Sequence, residues 1–120
     1  MLIHDENFKK SILAALADDD MIKILNHAKD NLTSVTEIME KFDIAHTTAY
    51  RKIKWMIENQ LLVVERIKIT DDGKKSSLFK SMLSSIKVNY ENSIVTVEAT
   101  RNLNPMKSTA ERFFSLGDHQ

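Results

Sequence analysis

The sequence predicts a single α+β domain in which three to four helices come first and β-hairpins follow. Up to residue 59, apolar residues recur every three or four positions, which is the spacing of helix faces. From Leu61 onward, β-branched residues alternate with polar ones, and Asp72-Gly73 is a turn dipeptide typical of hairpins. A chain of 120 residues has room for one domain of ordinary size with its own core.

The first two helices are predicted from their apolar faces. Phe8, Ile12 and Leu16 fall at i, i+4 and i+8, the spacing of one helical face. The acidic run Asp18-Asp19-Asp20 is predicted to supply the N-cap and the first-turn negative charge of a second helix, because carboxylates can accept the first free N–H groups. We expect that helix to end at Asp30-Asn31. Its inward side is predicted to consist of Met21, Ile24, Leu25 and Ala28.

A helix-turn-helix is predicted between residues 34 and 59. Ser34 with Glu37 three positions later forms a capping box for one helix. After a short turn at residues 43–45, a second helix runs from His46 and buries Ala49, Ile53, Met56 and Ile57. Its opposite face is polar and basic, with Thr47, Thr48, Tyr50, Arg51 and Lys54. Two short helices joined in this way, the second basic outside, are typical of DNA-reading motifs.

The rest of the chain is predicted to be mostly β. A hairpin over residues 63–80 would form a wing, with Lys68, Lys74 and Lys75 near its tip. A second pair of strands, over 86–90 and 94–99, could line a ligand pocket, form a dimer interface or extend the wing. After a break at residues 102–105, a short amphipathic helix is predicted, with Met106, Ala110, Phe113 and Phe114 on one side. We therefore assign residues 1–82 to a winged helix-turn-helix and 83–120 to an extension of the same domain that serves dimerisation.

Charge is distributed unevenly along the chain, although the formal net charge is zero. Residues 46–87 contain nine basic and four acidic residues, whereas residues 1–45 contain five basic and nine acidic ones. A polyanion responds to the local patch, because salt screens interactions beyond about 10 Å. The middle of the chain is thus the predicted basic face. Scattered lysines are more often a solvated surface, so this prediction depends on their coincidence with the helix-turn-helix.

Several other classes of protein fit the composition poorly. The chain has no cysteine, two glycines and no apolar run of about 20 residues, which argues against thiolate sites, phosphate loops and membrane spans. The four histidines show no metal-ligand spacing, and no nucleophile has a base partner. We expect a cytoplasmic protein that is not an enzyme and uses no metal or other cofactor.

The stretch Ala15-Leu16-Ala17-Asp18 followed by Ile24-Leu25 resembles the opening of the ArsR-like family of winged-helix repressors. Thr47-Thr48-Ala49, Arg51 and Leu61-Leu62 are similar to that family's recognition helix and following strand, so the resemblance covers residues 15–79. The chain resembles the related archaeal winged-helix regulators more closely still, because an all-β extension after the wing is unusual for typical metal sensors.

The resemblance implies a homodimeric transcriptional regulator that acts as a repressor. The chain lacks the family's Cys-x-Cys metal sensor, since residues 37–40 read Glu-Ile-Met-Glu. It also has Gln60 where the family has glycine, so we expect Asn59 to adopt the left-handed cap.

The residue types suggest how DNA would be read. Arg51 can make a bidentate contact with guanine, which is worth about 1–3 kcal/mol of discrimination. Phosphate or base contacts are predicted for the polar residues around it and at the start of the preceding helix, namely Ser34, Thr36, His46, Thr47, Thr48, Tyr50 and Lys54. The wing lysines Lys68, Lys74 and Lys75 would add backbone or minor-groove contacts. Trp55 is interpreted as a packing residue rather than a base-stacking one.

The predicted dimer interface joins the first helix to the terminal one through Phe8, Ile12, Leu16, Phe113 and Phe114. The same two terminal phenylalanines could instead close the monomer's own core. The alternative function is a winged helix used for protein–protein contact in the transcription machinery, without sequence-specific DNA binding. A protein-binding wing would expose apolar residues, and its binding would depend little on salt, whereas DNA binding weakens steeply.

Overall fold

The structure is a computed structural model that describes residues 1–106. Four helices come first: α1 (Glu6–Leu16), α2 (Asp19–Ala28), α3 (Val35–Phe42) and α4 (His46–Glu58). Two antiparallel hairpins follow, formed by β1 (Leu62–Ile69) with β2 (Lys75–Ser81) and by β3 (Leu83–Glu91) with β4 (Ile94–Arg101). The α+β class is confirmed, and this arrangement is compatible with a winged helix. The helix predicted over residues 106–114 lies almost entirely outside the described residues.

Three helices begin at side-chain caps. Asp5 accepts from the Phe8 N–H at 2.8 Å, Asp18 from the Met21 N–H at 3.0 Å, and Ser34 from the Glu37 N–H at 3.2 Å. The caps at Asp18 and Ser34 are confirmed, because both oxygens satisfy N–H groups that the first helical turn leaves unpaired. The Asp5 cap was not predicted.

The second helix ends earlier than predicted, at Ala28 rather than at Asp30-Asn31. The Asn31 side-chain amide donates to the His27 carbonyl at 2.9 Å, so it takes the place of the backbone N–H that would have continued the helix. Asparagine competes with the helical backbone in this way wherever its side chain can reach a nearby carbonyl.

The end of α4 corrects another prediction. Gln60, not Asn59, adopts the left-handed conformation, with a φ of 64° against −98° for Asn59. The Leu61 N–H bonds the Met56 carbonyl at 2.8 Å and the Gln60 N–H bonds the Ile57 carbonyl at 3.1 Å. This pair of bonds is the Schellman motif, which requires the left-handed residue one position beyond the cap.

The core lies between the four helices and the inner ends of the hairpins. Ile12, Ile24, Ile38 and Met56 contribute one fully buried side chain from each helix, and Phe79 closes the core from β2. Backbone bonds tie the layers together, since Thr33 and Phe79 exchange both N–H to carbonyl bonds at 2.8 and 3.0 Å. Burial of these large apolar groups is the main stabilising contribution of the fold.

The two hairpins turn differently. In the first hairpin, β1–β2, the Thr70 N–H bonds the Lys74 carbonyl at 2.8 Å, and Gly73 has a φ of 82°. A glycine suits this position because it adopts positive φ without a steric penalty. In the second hairpin, β3–β4, Asn92 and Ser93 have φ values of 54° and 65°, as the central residues of type I′ turns do.

The base of the second hairpin is anchored by Asn102, which follows β4 directly and is only 4% exposed. Its side-chain amide donates to the carbonyls of Lys29 and Ser81, each at 2.9 Å. The sequence predicted only a break in the β pattern here. In the part of the chain that the structure describes, no helix has both the length and the apolar character that crossing a bilayer requires.

Candidate nucleic-acid interface

The turn between α3 and α4 is tight and leaves the start of α4 open. Asp43 adopts a left-handed conformation with a φ of 53°, and its N–H bonds the Met39 carbonyl. Ala45 precedes α4 and offers no side-chain cap. The first N–H groups of α4 therefore have no side-chain acceptor within residues 1–106, and such groups favour an anion.

The outer face of α4 is polar and basic, as predicted. Thr47, Arg51 and Lys54 lie at i, i+4 and i+7, and all three are exposed. Within residues 1–106 neither Arg51 nor Lys54 forms an ion pair. The opposite side of α4 carries Ala49, Ile53 and Met56 into the core. Burial of this side fixes which residues face outward.

The remaining predicted residues of α4 have different surroundings. The rings of His46 and Tyr50 stack, with centroids 6.2 Å apart and an interplanar angle of 18°. Both residues are exposed, while Thr48 is half-buried. Trp55 is half-buried and packs against the core, in agreement with its interpretation as a packing residue. The stack extends the polar surface of α4 toward the first hairpin.

A groove of about 410 Å³ separates α4 from β2 and the start of α3. We call it the α4–β2 groove. It brings together five of the residues predicted from sequence to contact DNA, which come from three elements: Thr36, His46, Tyr50, Lys54 and Lys75. The other predicted DNA-contacting residues do not line it, and Ser34 instead caps α3 through its hydroxyl oxygen.

The lysines of the first hairpin do not share one face. Lys68 is paired with Ser76 and Ile69 with Lys75, and residues directly opposite one another in a hairpin point to the same side. Lys68 and Lys75 therefore point to opposite sides, and Lys74 lies in the turn. Ile67 and Ile69, on the side of Lys75, are 59% and 67% exposed. The hairpin thus exposes both lysines and isoleucines.

Arg66 is an exposed cation that the sequence prediction left out of the site. It lies on the same side of the first hairpin as Lys68, two residues away. The alternation Arg66-Ile67-Lys68-Ile69 already contained this signal, because residues two apart in a strand share a face. Arg66 and Lys68 together make the outer side of the hairpin basic.

Two other lysines counted in the basic middle of the chain are engaged elsewhere. Lys52 Nζ lies 2.9 Å from both Asp18 Oδ2 and Asp20 Oδ2, and Lys80 Nζ lies 2.8 Å from Glu65 Oε1. Sequence spacing could not reveal the first pair, since its members are more than 30 residues apart. The basic face is accordingly smaller than the count along the chain implied.

The Lys52 cluster shifts the ionisation of its members. Hydrogen bonds to Asp18 and then Asp20 raise the pKa of Lys52 above its ordinary value of 10.5. Burial acts to raise the pKa of Asp18, but the hydrogen bonds from Lys52 and the Met21 N–H hold it below its ordinary value of 3.8. Both shifts favour the charged forms of Lys52 and Asp18, so this pair is ionised at neutral pH.

At the tip of the first hairpin, Asp72 accepts a hydrogen bond from the Thr70 hydroxyl, which lowers the pKa of its carboxyl group. Lys74 Nζ lies 3.9 Å from Asp72 Oδ2 with both side chains exposed, so this pair holds Lys74 only weakly. Lys74 is therefore free to reorient toward an anion.

The predicted dimer interface is only partly described. Ile12 is fully buried in the monomer's own core, so it cannot contact a partner, and that part of the prediction is wrong. Phe8 and Leu16 are half-buried against the same core. Phe113 and Phe114 lie outside the described residues.

His27 contacts the carboxylate of Glu37, with Nε2 and Oε2 3.0 Å apart, and links α2 to α3. Within residues 1–106, no three histidine, aspartate or glutamate side chains cluster as a metal site would need.

No known family model matches the chain, and no curated protein matches its sequence. The function of the chain is therefore inferred from the chemistry of its own surface.

Proposed function

We propose that the chain binds double-stranded DNA in a sequence-specific manner and regulates transcription as a repressor. In this proposal α3 and α4 form a helix-turn-helix, and the first hairpin is the wing. α4 enters the major groove, whose width admits one helix. The resemblance to ArsR-like regulators of the archaeal type belongs to this proposal, as does a cytoplasmic, non-enzymatic role.

The observation that carries the proposal is the division of cations on α4. Lys52 is directed to Asp18 and Asp20, whereas Arg51 and Lys54 are exposed and free of ion pairs within residues 1–106. Arg51 is thus available for a bidentate contact with guanine O6 and N7.

The surroundings of α4 support the same function. Lys75 lines the α4–β2 groove beside the helix, and Arg66 and Lys68 add positive charge on the opposite side of the first hairpin. Phosphate contacts from such residues orient a protein on the duplex, while contacts from the helix read base edges. Thr36 and the uncapped start of α4 add polar groups that can face phosphate.

A second candidate function is favoured by one observation. Ile67 and Ile69 are exposed on the wing, and exposed apolar side chains of this kind are typical of protein-binding surfaces. In that alternative, the first hairpin docks onto another protein of the transcription machinery, and DNA is not read.

Salt dependence separates the two functions. We would titrate the protein into random-sequence duplex DNA at about 50 and 200 mM salt, the range over which phosphate-dominated binding weakens by orders of magnitude. If the protein binds DNA, log affinity should fall linearly with log salt, with a slope that corresponds to several phosphate contacts. Lys23→Ala, on the exposed side of α2, is a matched control that should leave the slope unchanged. Absence of binding even at the lower salt would contradict the proposal.

A further inference from the structure

The outer edge of β3 is open for hydrogen bonding within residues 1–106. β4 lies on one side of β3, and residues 1–3 lie on the far side of β4. The Ile3 N–H bonds the Val97 carbonyl, and the Ala99 N–H bonds the Met1 carbonyl, both at 2.8 Å. The peptide groups of Val97 and Ala99 therefore point away from β3.

The direction of the peptide groups alternates along a strand, which determines what β3 presents at its edge. Glu98 and Thr96 face β3 and pair with Lys87 and Asn89. Lys87 and Asn89 therefore direct their N–H and carbonyl groups toward β4. The alternate residues Val88 and Tyr90 direct theirs away from β4, to the open edge. Unpaired groups of this kind are a template for another strand.

The side chains at this edge are apolar on one face. Val88 is opposite Val97 and Tyr90 is opposite Val95, so all four share one side of the second hairpin. Val97 is fully buried, but Val88 is 42% and Tyr90 is 72% exposed. An open edge beside exposed apolar residues is a surface that favours association.

We propose that a second copy of the chain occupies this edge, with its β3 antiparallel to the first and a two-fold axis passing through Asn89. This register places Val88 opposite the partner's Tyr90, so the outward peptide groups of both residues are paired. It also places Lys87 opposite the partner's Glu91, and by symmetry Glu91 opposite the partner's Lys87.

Charge complementarity favours this register over those with the axis at Val88 or at Lys87. Moving the axis to Val88 sets Lys87 against the partner's Asn89, which removes both direct charge pairs. Moving it to Lys87 sets two lysines against each other, and like charges directly opposite in a sheet are destabilising. The interface differs from the predicted one between the first and terminal helices, and it does not depend on whether the protein binds DNA.

Cysteine cross-linking tests the register directly, because the natural chain has no cysteine. In the proposed dimer Asn89 faces its own symmetry mate as a non-hydrogen-bonded pair, in which side chains approach within about 5 Å. Asn89→Cys should therefore form a covalent dimer under mild oxidation at least about tenfold faster than Ser85→Cys. Ser85 is the matched control, since it is exposed on the same face of the same strand.

Equal cross-linking rates for the two variants would overturn the proposal. Faster cross-linking of Val88→Cys than of Asn89→Cys would overturn the register. Slow exchange of the Val88 and Tyr90 amide hydrogens in a monomer would overturn the whole proposal. The edge would then be assigned to the chain's own residues 107–120. All of these measurements are made without DNA, so they are independent of the proposed function.

A charge reversal provides the second test. Glu91→Lys should weaken dimerisation about tenfold in sedimentation equilibrium, because two lysine pairs replace two attractive ones. Lys87 also faces Glu98 within the same hairpin, so Lys87→Glu, Glu91→Lys and Glu98→Lys are combined to restore every pairing with reversed sign. The triple variant should regain most of the lost affinity. An unchanged dimer in Glu91→Lys would contradict the Lys87–Glu91 pairing.

Discussion

Lys52 on α4 contacts Asp18 at the start of α2, with Nζ 3.0 Å from Oδ1 and 2.9 Å from Oδ2. Asp18 Oδ1 also caps α2 through the Met21 N–H. One carboxylate thus fixes both the beginning of α2 and the rotation of α4 about its axis. The exposed position of Arg51, the residue before Lys52, follows from this contact together with the buried face of α4.

We expect Lys52→Met to destabilise the fold by about 1–3 kcal/mol at pH 7, because Asp18 and Asp20 lose their shared hydrogen-bond donor. The change keeps an unbranched side chain that is only one heavy atom shorter, so the loss reports mainly on charge and hydrogen bonding. Urea unfolding would measure it. Lys23→Met, an exposed lysine on α2, should change stability by less than about 0.5 kcal/mol.

The same cluster predicts how stability depends on pH. The pKa of Asp18 is lowered on folding, so its contribution is present above the ordinary value of 3.8 and is lost as pH falls through the folded value. The pKa of Lys52 is raised, so its contribution is present below 10.5 and is lost as pH rises through the folded value. The difference between the natural chain and Lys52→Met should therefore shrink at both extremes. A difference that stays constant from pH 2 to pH 7 would contradict this account.

Arg51→Ala should weaken binding to a selected DNA site by about 10- to 100-fold, since one bidentate guanine contact is worth about 1–3 kcal/mol. Its affinity for random DNA should fall much less. Competition titrations with both kinds of duplex would measure the two losses. An equal loss on both would place Arg51 on phosphate and remove its role in base reading.

Lys75→Ala should affect specific and random DNA alike, because Lys75 lies across the α4–β2 groove from Lys54 and is positioned for phosphate. The slope of log affinity against log salt should decrease by about one unit. Ile67→Ser, on the same side of the hairpin, serves as the comparison. A binding loss from Ile67→Ser but none from Lys75→Ala would favour the protein-interaction alternative.

The sequence predicted the helices and hairpins well where the cause was local. The caps at Asp18 and Ser34 and the turn at Gly73 follow from residues that are neighbours in the chain. Contacts between distant residues were not predictable, as the Lys52–Asp18 pair and the anchor at Asn102 show. The same contrast between local patterns and distant contacts holds for the candidate site. Periodicity predicted the outer face of α4, but not which cations would be paired, nor which side of the first hairpin each would face.

Gln60→Gly should stabilise the fold by about 0.5–1 kcal/mol. Gln60 is exposed and has a φ of 64°, a conformation that glycine adopts without the penalty of a side chain. Gln60→Ala keeps the β-carbon and should be close to neutral. Thermal unfolding of the two variants would measure the difference, and equal stability would show that Gln60 is unstrained.

Asn102→Ala should destabilise the fold by about 2–4 kcal/mol, because it removes the side-chain donor of the Ser81 carbonyl and the shorter of the two side-chain bonds to the Lys29 carbonyl. Asn104, which contacts Asp30 at 3.0 Å nearer the surface, is the matched control. Its replacement by alanine should cost less than about 1 kcal/mol. Similar losses for both variants, measured by urea unfolding, would contradict the anchoring role of Asn102.

Sequence-specific DNA reading is the central claim, and it is tested most directly by selection from a pool of random duplex DNA at two salt concentrations. The account predicts enrichment of a two-fold symmetric site whose half-sites lie about one helical turn apart, with retention that falls steeply as salt rises. Retention without enrichment would contradict sequence-specific reading. No retention even at the lower salt would contradict DNA binding altogether and favour the protein-interaction module.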